Sequence, residues 1–162
     1  MNIRLASQAD RPSVWEIIEP VIRSGETYTL DPIMTRGEAL DYWFGEDKTT
    51  FVVEEDGVTL GTYYIRSNQH GGGNHVCNCG YMTASHSTGK GVARAMCQHS
   101  MVYAKSKGYL AMQFNFVVST NHRAIGLWQS LGFEVVGKLP KAFKHPSAGY
   151  VDALVMFKDL VS

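Results

Sequence analysis

The sequence lacks the features of secreted proteins, of membrane-spanning proteins and of small domains that a structural metal stabilises. It has only three cysteines, Cys77, Cys79 and Cys97, an odd number without a C-x-x-C pair, so the pattern indicates neither a disulfide framework nor a redox motif. No run approaches 18 uncharged apolar residues, which excludes a membrane-spanning helix on length. The N-terminal residues show no charged segment followed by an apolar core. We therefore expect a protein of the reducing cytoplasm.

An excess of charge of either sign is also absent. Fifteen Lys and Arg balance 15 Asp and Glu, so nothing global favours nucleic acid or an acidic membrane as a partner, and any basic feature must be local. The 162 residues fit one domain, 1–162. A domain of this size buries about 68 to 70% of the surface of its unfolded chain without disulfides or metal.

The first half of the chain predicts helices and strands in turn. Residues 2–7 alternate as a strand does, and residues 12–25 repeat apolar positions at helical spacing, although Pro20 should kink or divide that helix. A second helical pattern covers 35–44, and the connection between the two helices is a candidate substrate loop. Three strands follow over 48–55, 58–66 and 75–85, the first two joined by the hairpin signal Asp56-Gly57. In the third strand, Gly80 indicates a bulge or a close backbone approach.

The second half predicts, in order, a helix over 91–107, a buried strand over 110–118, a helix over 124–131, a short strand over 133–136, a loop over 140–149 and a last strand over 150–157. The apolar stripe of the first of these helices comprises Val92, Ala95, Met96, Val102 and Tyr103. Asn121 is suited to cap the second helix, and Gly132 to end it. This order of elements favours a mixed sheet flanked by helices.

The segment 86–93 couples the end of a strand to the start of a helix, and it reads as an anion cradle. Gly89 and Gly91 allow close backbone approach, Lys90 adds a positive charge, and the helix offers free N–H groups and the positive end of its dipole. A glycine pair before a helix is also compatible with a simple turn.

Two motifs resemble the GCN5-related N-acetyltransferase (GNAT) family. His86-Ser87-Thr88-Gly89-Lys90-Gly91 is similar to the family's Gln/Arg-x-x-Gly-x-Gly/Ala loop, with His86 in the first place, and residues 121–133 resemble its Asn-x-x-Ala-x-x-Leu-Tyr-x-x-x-Gly-Phe signature. The resemblance implies the GNAT fold, a mixed α/β structure with a central, mostly antiparallel sheet of six to seven strands flanked by about four helices. It also implies acetyl-coenzyme A as cosubstrate and no metal.

The resemblance places the donor on one set of residues. They are Met82, Thr83, His86, Ser87, Thr88, Gly89, Lys90, Gly91, Val92, Ala93, Asn121, Ala124 and Trp128. Two positions depart from the common family pattern: Trp128 stands where many members have a tyrosine acid, and Asn78 where many have a glutamate base. The base that removes the proton from the attacking amine is therefore left open.

Three asparagines resemble those of fungal N-acetyltransferases that act on L-azetidine-2-carboxylate and related proline analogues. The resemblance implies that Asn78 and Asn115 bind substrate and that Asn121 contacts the pantetheine or acetyl group, so that Asn121 and Asn115 form the catalytic set. Asn78 is also compatible with a buried amide satisfied by backbone, and Asn121 with a helix cap alone. The early connection adds Glu26, Tyr28 and Thr29 as candidate acceptor contacts.

The expected activity is therefore acetyl transfer from acetyl-coenzyme A to the amine of a small amino or imino acid, by direct attack in a ternary complex. The alternatives are another amine, such as a glufosinate-like compound, a polyamine, an antibiotic or a protein N-terminus, and a non-catalytic acyl-coenzyme A sensor. We expect a small-molecule partner and a homodimer as one possible assembly.

Overall fold

The computed structural model describes residues 1–161, and its centre is one seven-stranded sheet in the order β1-β2-β3-β4-β5-β7-β6. The strands are β1 (Asn2–Leu5), β2 (Thr49–Glu55), β3 (Val58–Ser67), β4 (Val76–Thr83), β5 (Ala111–Val118), β6 (Glu134–His145) and β7 (Gly149–Asp159). The helices are α1 (Arg11–Ser24), α2 (Arg36–Trp43), α3 (Val92–Ser106) and α4 (His122–Ser130). The expected mixed sheet with four helices is confirmed.

Local sequence signals explain several of these boundaries. Asp56 and Gly57 both have positive φ, as the tight turn between β2 and β3 requires. Thr35 and Glu38 form a reciprocal capping box at the start of α2. Gly108 follows α3 with a φ of +85°, a conformation that ends helices.

The sheet opens between β4 and β5. These two strands pair in parallel only at Val76 with Ala111 and at Cys77 with Met112. Beyond that point no pairing joins them within residues 1–161, and β5 carries an irregularity against β7 between Phe114 and Val117. Because the strands part, their facing edges leave room for a ligand rather than for a ladder of hydrogen bonds.

Two hydrophobic clusters cover the two faces of the sheet. One packs α3 and α4 against the sheet and includes Met96, Phe114 and Trp128. The other packs α1 and α2 and includes Ile18 and Trp43. The opening between β4 and β5 is thus held between two packed layers.

Pro20 is expected to kink or divide α1, and the helix is not divided: it runs from Arg11 to Ser24, because the burial of residues such as Ile18 and Ile22 offsets the one backbone hydrogen bond lost. Two other expectations from the sequence are wrong. The predicted loop over 140–149 is instead largely strand, since β6 extends to His145. Val102 is 70% exposed, and the buried stripe of α3 uses Cys97, Ser100 and Ala104 in its place.

The extension of β6 has a positional cause. β6 is an edge strand of the sheet. On its open side it has no neighbouring strand, so a proline, which lacks an N–H, is tolerated at position 140. A register shift between Leu139 and Phe143, with Lys141 at a φ of +50°, absorbs the irregularity. Most β6 side chains are exposed, which hides the alternation that identifies a strand.

Candidate active site

The opening between β4 and β5 contains a cavity of about 480 Å³; we call it the acceptor cavity. Its walls come from the connection between α1 and α2, from the ends of β3, β4 and β5, and from α4. Among the described residues that line it, Arg66 is the only one with a formal charge. The cavity therefore combines an aromatic and amide lining with one cation.

Arg66 stands at the end of β3 and is held from three directions. Its Nε–H donates to the side-chain oxygen of Asn78 at 3.4 Å. Its Nη1 donates to a carboxylate oxygen of Asp47 at 3.4 Å, and its guanidinium lies 5.5 Å from the centroid of the Tyr64 ring. Its side chain is 29% exposed, so part of the guanidinium stays free to meet a ligand. No motif in the sequence indicates this role, because a charge at the end of a strand usually marks a solvated position.

Two of the three predicted asparagines lie on opposite walls of the acceptor cavity. Asn78 is 6% exposed, and its Nδ2 donates to the backbone oxygen of Gln113 at 2.9 Å. It therefore bridges β4 and β5 where the two strands part. Asn115 occupies the irregular part of β5, accepts from Gln113 Nε2 at 2.9 Å and donates to Asn68 Oδ1 at 2.6 Å. The backbone contact expected for a merely buried Asn78 is present, and the residue also lines the cavity.

The connection between α1 and α2 contributes two of its three predicted residues to the cavity. The hydroxyl of Tyr28 donates to the backbone oxygen of Tyr81 in β4 at 2.9 Å, which fastens this connection to the sheet. Thr29 also lines the cavity. Glu26 is exposed and lies outside the lining of both cavities described in this section.

Tyr42 and Tyr64 form a pair in the lining of the acceptor cavity, which also includes Arg66. The hydroxyls of Tyr42 and Tyr64 are 3.3 Å apart. The ring of Tyr64 lies over Gly80, where an added Cβ would stand 2.6 Å from Cε2 of the ring. The expected close approach at Gly80 is thus made by a side chain rather than by backbone, and β3 and β4 keep continuous register there.

Three titratable groups of the acceptor cavity, Tyr28, Tyr64 and Cys79, hold their protons at neutral pH. Burial raises the pKa of the Tyr28 and Tyr64 hydroxyls beyond their ordinary range. Burial likewise raises the pKa of the Cys79 thiol well above its usual value. The nucleophilic thiolate form of Cys79 is therefore disfavoured.

A second cavity of about 410 Å³ adjoins the first; we call it the donor cavity. It lies at the N-terminus of α3, where the first N–H groups have no partner within the helix. Gly89 and Gly91 have φ values of +83° and +79°, so the chain turns there in a conformation that favours glycine. Arg94 and Arg123 add two positive side chains, and no acidic side chain is among the described residues of its lining.

The predicted cradle residues divide between this lining and the surface. Residues of the lining include Ser87, Thr88, Gly89, Gly91, Val92 and Ala93. Ser87 is fully buried, and its hydroxyl donates to the backbone oxygens of Leu60 and Ala84, so its side chain secures the loop. His86 and Lys90 are exposed and lie outside the lining.

Five residues line both cavities, and Asn121 lies at the junction. The other four are Tyr81, Thr83, Ala124 and Trp128. The side-chain oxygen of Asn121 accepts from the backbone N–H of Ala124 at 3.3 Å, which confirms the cap of α4. Its NH₂ group makes no hydrogen bond within the described chain and is available to a ligand. Met82 is buried and lines the acceptor cavity only.

The donor cavity fits the phosphate groups of a coenzyme A. Free helix amides, two glycines without Cβ atoms and two arginines form the set of donors and cations that phosphate requires. The open edges of β4 and β5 continue from there into the acceptor cavity. Across residues 1–161, no cluster of three or more His, Cys, Asp or Glu side chains could hold a metal ion.

None of the helices in the described chain has both the length and the apolar character needed to cross a membrane. The three cysteines are free thiols.

Comparison with known proteins points to one family. Residues 15–133 match the model of the acetyltransferase (GNAT) family. The chain is 30% identical over 151 residues to N-acetyltransferase aca1 of Schizosaccharomyces pombe, covering 83% of this chain and 72% of that protein.

Solved structures agree with this match. A GCN5-related N-acetyltransferase from Kribbella flavida is 41% identical, with a TM-score of 0.92, and the alignment covers 98% of this chain and 96% of that one. The structure of yncA from Salmonella typhimurium with acetyl-CoA has a TM-score of 0.86 at 23% identity, over 100% of this chain and 95% of that one. At that identity the likeness concerns the fold.

Proposed function

The chain belongs to the acetyltransferase (GNAT) family and is an N-acetyltransferase that uses acetyl-coenzyme A, and from that premise we propose that its acceptor is a small amino or imino acid, of the proline-analogue kind. The acceptor's carboxylate binds Arg66, and its amine faces the junction with the donor cavity. Asn78 and Asn115 supply amide contacts to the acceptor.

The observation that carries this proposal is the single cation of the acceptor cavity. An anionic group on the acceptor is favoured by Arg66, whose planar guanidinium matches a carboxylate. A polyamine or a basic antibiotic would bring further positive charge to a cavity whose described lining includes no carboxylate. The cavity volume of about 480 Å³ suits a small molecule.

The donor's role follows from the second cavity. We propose that the amides at the start of α3, together with Arg94 and Arg123, hold the phosphate groups, and that Trp128 and Ala124 line the path of the thioester arm. Acetyl-coenzyme A supplies an activated acetyl thioester when bound. The NH₂ group of Asn121 is the amide donor at the junction, where negative charge on the acetyl oxygen develops during transfer.

Direct transfer within a ternary complex agrees with the chemistry of the lining. Burial keeps the Cys79 thiol protonated, which disfavours a covalent acyl-enzyme. The protonated Tyr28 and Tyr64 hydroxyls do not serve as bases at neutral pH. The acceptor therefore reacts in its neutral amine form: its nitrogen bonds to the acetyl carbon, the carbon–sulfur bond of the thioester breaks, and coenzyme A leaves as its thiolate. The proton of the amine passes to solvent, which also protonates the thiolate.

A panel of acceptors tests the proposal through release of free thiol from acetyl-coenzyme A. The panel pairs L-azetidine-2-carboxylate and other amino and imino acids with their carboxamides, and adds a polyamine, a basic antibiotic, a glufosinate-like compound and a peptide. We expect turnover with small carboxylates and at least tenfold lower kcat/KM for the matched amides. Preference for the polyamine, antibiotic or peptide would contradict the assignment of the acceptor.

Two further expectations belong with this proposal. The free cysteines support a reducing cytoplasmic location. The exposed apolar side chains Val135, Val136 and Leu139 on the edge strand β6 support a homodimer, which sedimentation analysis of the purified protein would test.

A further inference from the structure

The connection between α2 and β2 contains a carboxylate that lies between two cations. Asp47 Oδ1 is 3.1 Å from the Lys48 ammonium, and Asp47 Oδ2 is 3.4 Å from the Arg66 guanidinium. Asp47 itself does not line either cavity of the active site. It therefore contacts the acceptor cavity only through its neighbours.

Lys48 is the unusual member of this group. Its side chain is only 4% exposed, whereas lysine is almost never fully buried unless it is paired. Its ammonium lies 4.1 Å from the centroid of the Tyr42 ring and 5.4 Å from that of Tyr64. Both tyrosines line the acceptor cavity, so Lys48 supports two residues of its lining, and Asp47 pairs with the Lys48 ammonium.

The backbone leaves room for this pair at Gly45. A Cβ at Gly45 would stand 2.7 Å from Asp47 Oδ1 and 3.2 Å from Lys48 Nζ. A side chain at this position would thus displace the carboxylate from its contact with the ammonium. The absence of a side chain at Gly45 therefore leaves space for the Asp47–Lys48 ion pair.

We propose that Asp47 is a positioning residue for Arg66 and thereby sets the affinity of the enzyme for its acceptor. This inference rests on the proposed function, since it requires that Arg66 binds the acceptor's carboxylate. An arginine side chain has many rotamers, and freezing it before binding lowers the cost of forming the complex. Asp47 accepts from Nη1 of the guanidinium, Asn78 accepts from its Nε–H, and Tyr64 supports its face, so the remaining N–H donors are left to the ligand.

Simple electrostatics gives the opposite expectation, which makes the inference testable. Removal of a negative charge near a bound carboxylate would strengthen acceptor binding if Asp47 acted only through its charge. Loss of a positioning contact weakens binding instead. The sign of the change in KM therefore separates the two roles.

The experiment measures kcat and KM for L-azetidine-2-carboxylate, or for the best carboxylate acceptor of the panel, in Asp47→Asn, Asp47→Glu and Glu46→Gln. Glu46 is the matched control because it is the adjacent exposed acid and makes no ion pair or hydrogen bond within the described chain. We expect Asp47→Asn to raise the acceptor KM about two- to fivefold, the range typical of a partly exposed ion pair. The value of kcat and the KM for acetyl-coenzyme A should stay unchanged. Asp47→Glu should restore part of the affinity, and Glu46→Gln should match the wild type.

A double-mutant cycle with Arg66→Gln completes the test. If Asp47 acts through Arg66, adding Asp47→Asn to Arg66→Gln has no further effect on the acceptor KM. An unchanged or lowered KM in Asp47→Asn, beside a raised KM in Arg66→Gln, overturns the positioning role while leaving the proposed acceptor intact. An Arg66→Gln variant that still prefers carboxylates over amides contradicts the proposed function and this inference together. Thermal unfolding of each variant identifies any general loss of stability.

Discussion

The ring of Tyr64 occupies the space into which a side chain at Gly80 would project. The added Cβ would lie 2.6 Å from Cε2, 2.7 Å from Cζ and 2.8 Å from the hydroxyl oxygen of the tyrosine. Gly80 faces Tyr64 directly across the pairing of β3 and β4. The absence of a side chain in β4 therefore allows an aromatic residue of β3 to form part of the acceptor cavity.

The first prediction follows from this contact. Gly80→Ala should move the Tyr64 ring, because a ring held among Trp43, Tyr42 and Lys48 cannot give way without shifting them. We expect a loss of about 1 to 3 kcal/mol in the free energy of unfolding, as for other overpacked sites, and a raised acceptor KM. Gly126→Ala on α4 is the control, since nothing lies within 4 Å of its Cβ and alanine favours a helix. Wild-type stability and kinetics in Gly80→Ala would refute the role of this contact.

The second prediction separates two roles of Asn121. Asn121→Ala removes both the helix cap and the free NH₂ group, and should lower kcat by about 10²- to 10³-fold, as loss of an oxyanion donor does. Asn121→Asp keeps a good cap but has no NH₂ to donate. We expect Asn121→Asp to retain the thermal stability of the wild type and to lose kcat as the alanine variant does. A fully active aspartate variant would reduce Asn121 to a cap of α4.

The third prediction concerns pH. Because the pKa values of Tyr28, Tyr64 and Cys79 are raised, these groups stay protonated and uncharged from pH 6 to 9. Only the neutral amine attacks, so kcat/KM for the acceptor should rise about tenfold per pH unit and level off near the amine's own pKa. Two acceptors with different amine pKa values should therefore give profiles displaced from each other by that difference. A break at the same pH for both would indicate a base on the enzyme.

The fourth prediction uses an uneven distribution of charge along a chain whose net charge is zero. Twelve of the 15 acidic residues precede Gly57, and ten of the 15 Lys and Arg residues follow it. The donor cavity belongs to the basic part, with Arg94 and Arg123 in its lining. A basic cleft attracts the phosphates of the donor from a distance, and salt screens that attraction. Values of kcat/KM for acetyl-coenzyme A should fall about tenfold or more between low salt and 0.5 M salt.

Arg123→Gln should weaken this salt dependence. Lys105→Gln, an exposed change in the last turn of α3 outside both linings, should preserve it. Equal salt dependence in the wild type and in both variants would show that these charges do not steer the donor.

Much of this structure is readable from the sequence because its signals are local. The turn at Asp56 and Gly57 and the cap at Asn121 each depend on residues next to one another in the chain. The full length of β6 is not predictable from the sequence, because an edge strand carries little apolar alternation and tolerates Pro140. In such cases the sheet neighbours decide the conformation, and their positions are not encoded locally.

The acceptor cavity was less predictable than the donor cavity for the same reason. The donor cavity rests mainly on a continuous loop and helix start, from Ser87 to Arg94. The acceptor cavity joins Tyr28, Arg66 and Asn115, which are far apart in sequence. Which side chain of a polar connection faces inward depends on one contact, the hydrogen bond of Tyr28 to β4. The role of Arg66 depends on its neighbours in space, Asp47, Tyr64 and Asn78, and not on its neighbours in the sequence.

The central claim is that Arg66 binds the carboxylate of a small amino or imino acid. The most direct test is the ratio of kcat/KM for a carboxylate acceptor to that for its carboxamide, measured in the wild type and in Arg66→Gln with the same acetyl-coenzyme A. We predict a ratio of at least ten in the wild type that falls to near one in Arg66→Gln, with the KM for acetyl-coenzyme A unchanged. A ratio that is the same in both proteins would contradict the claim.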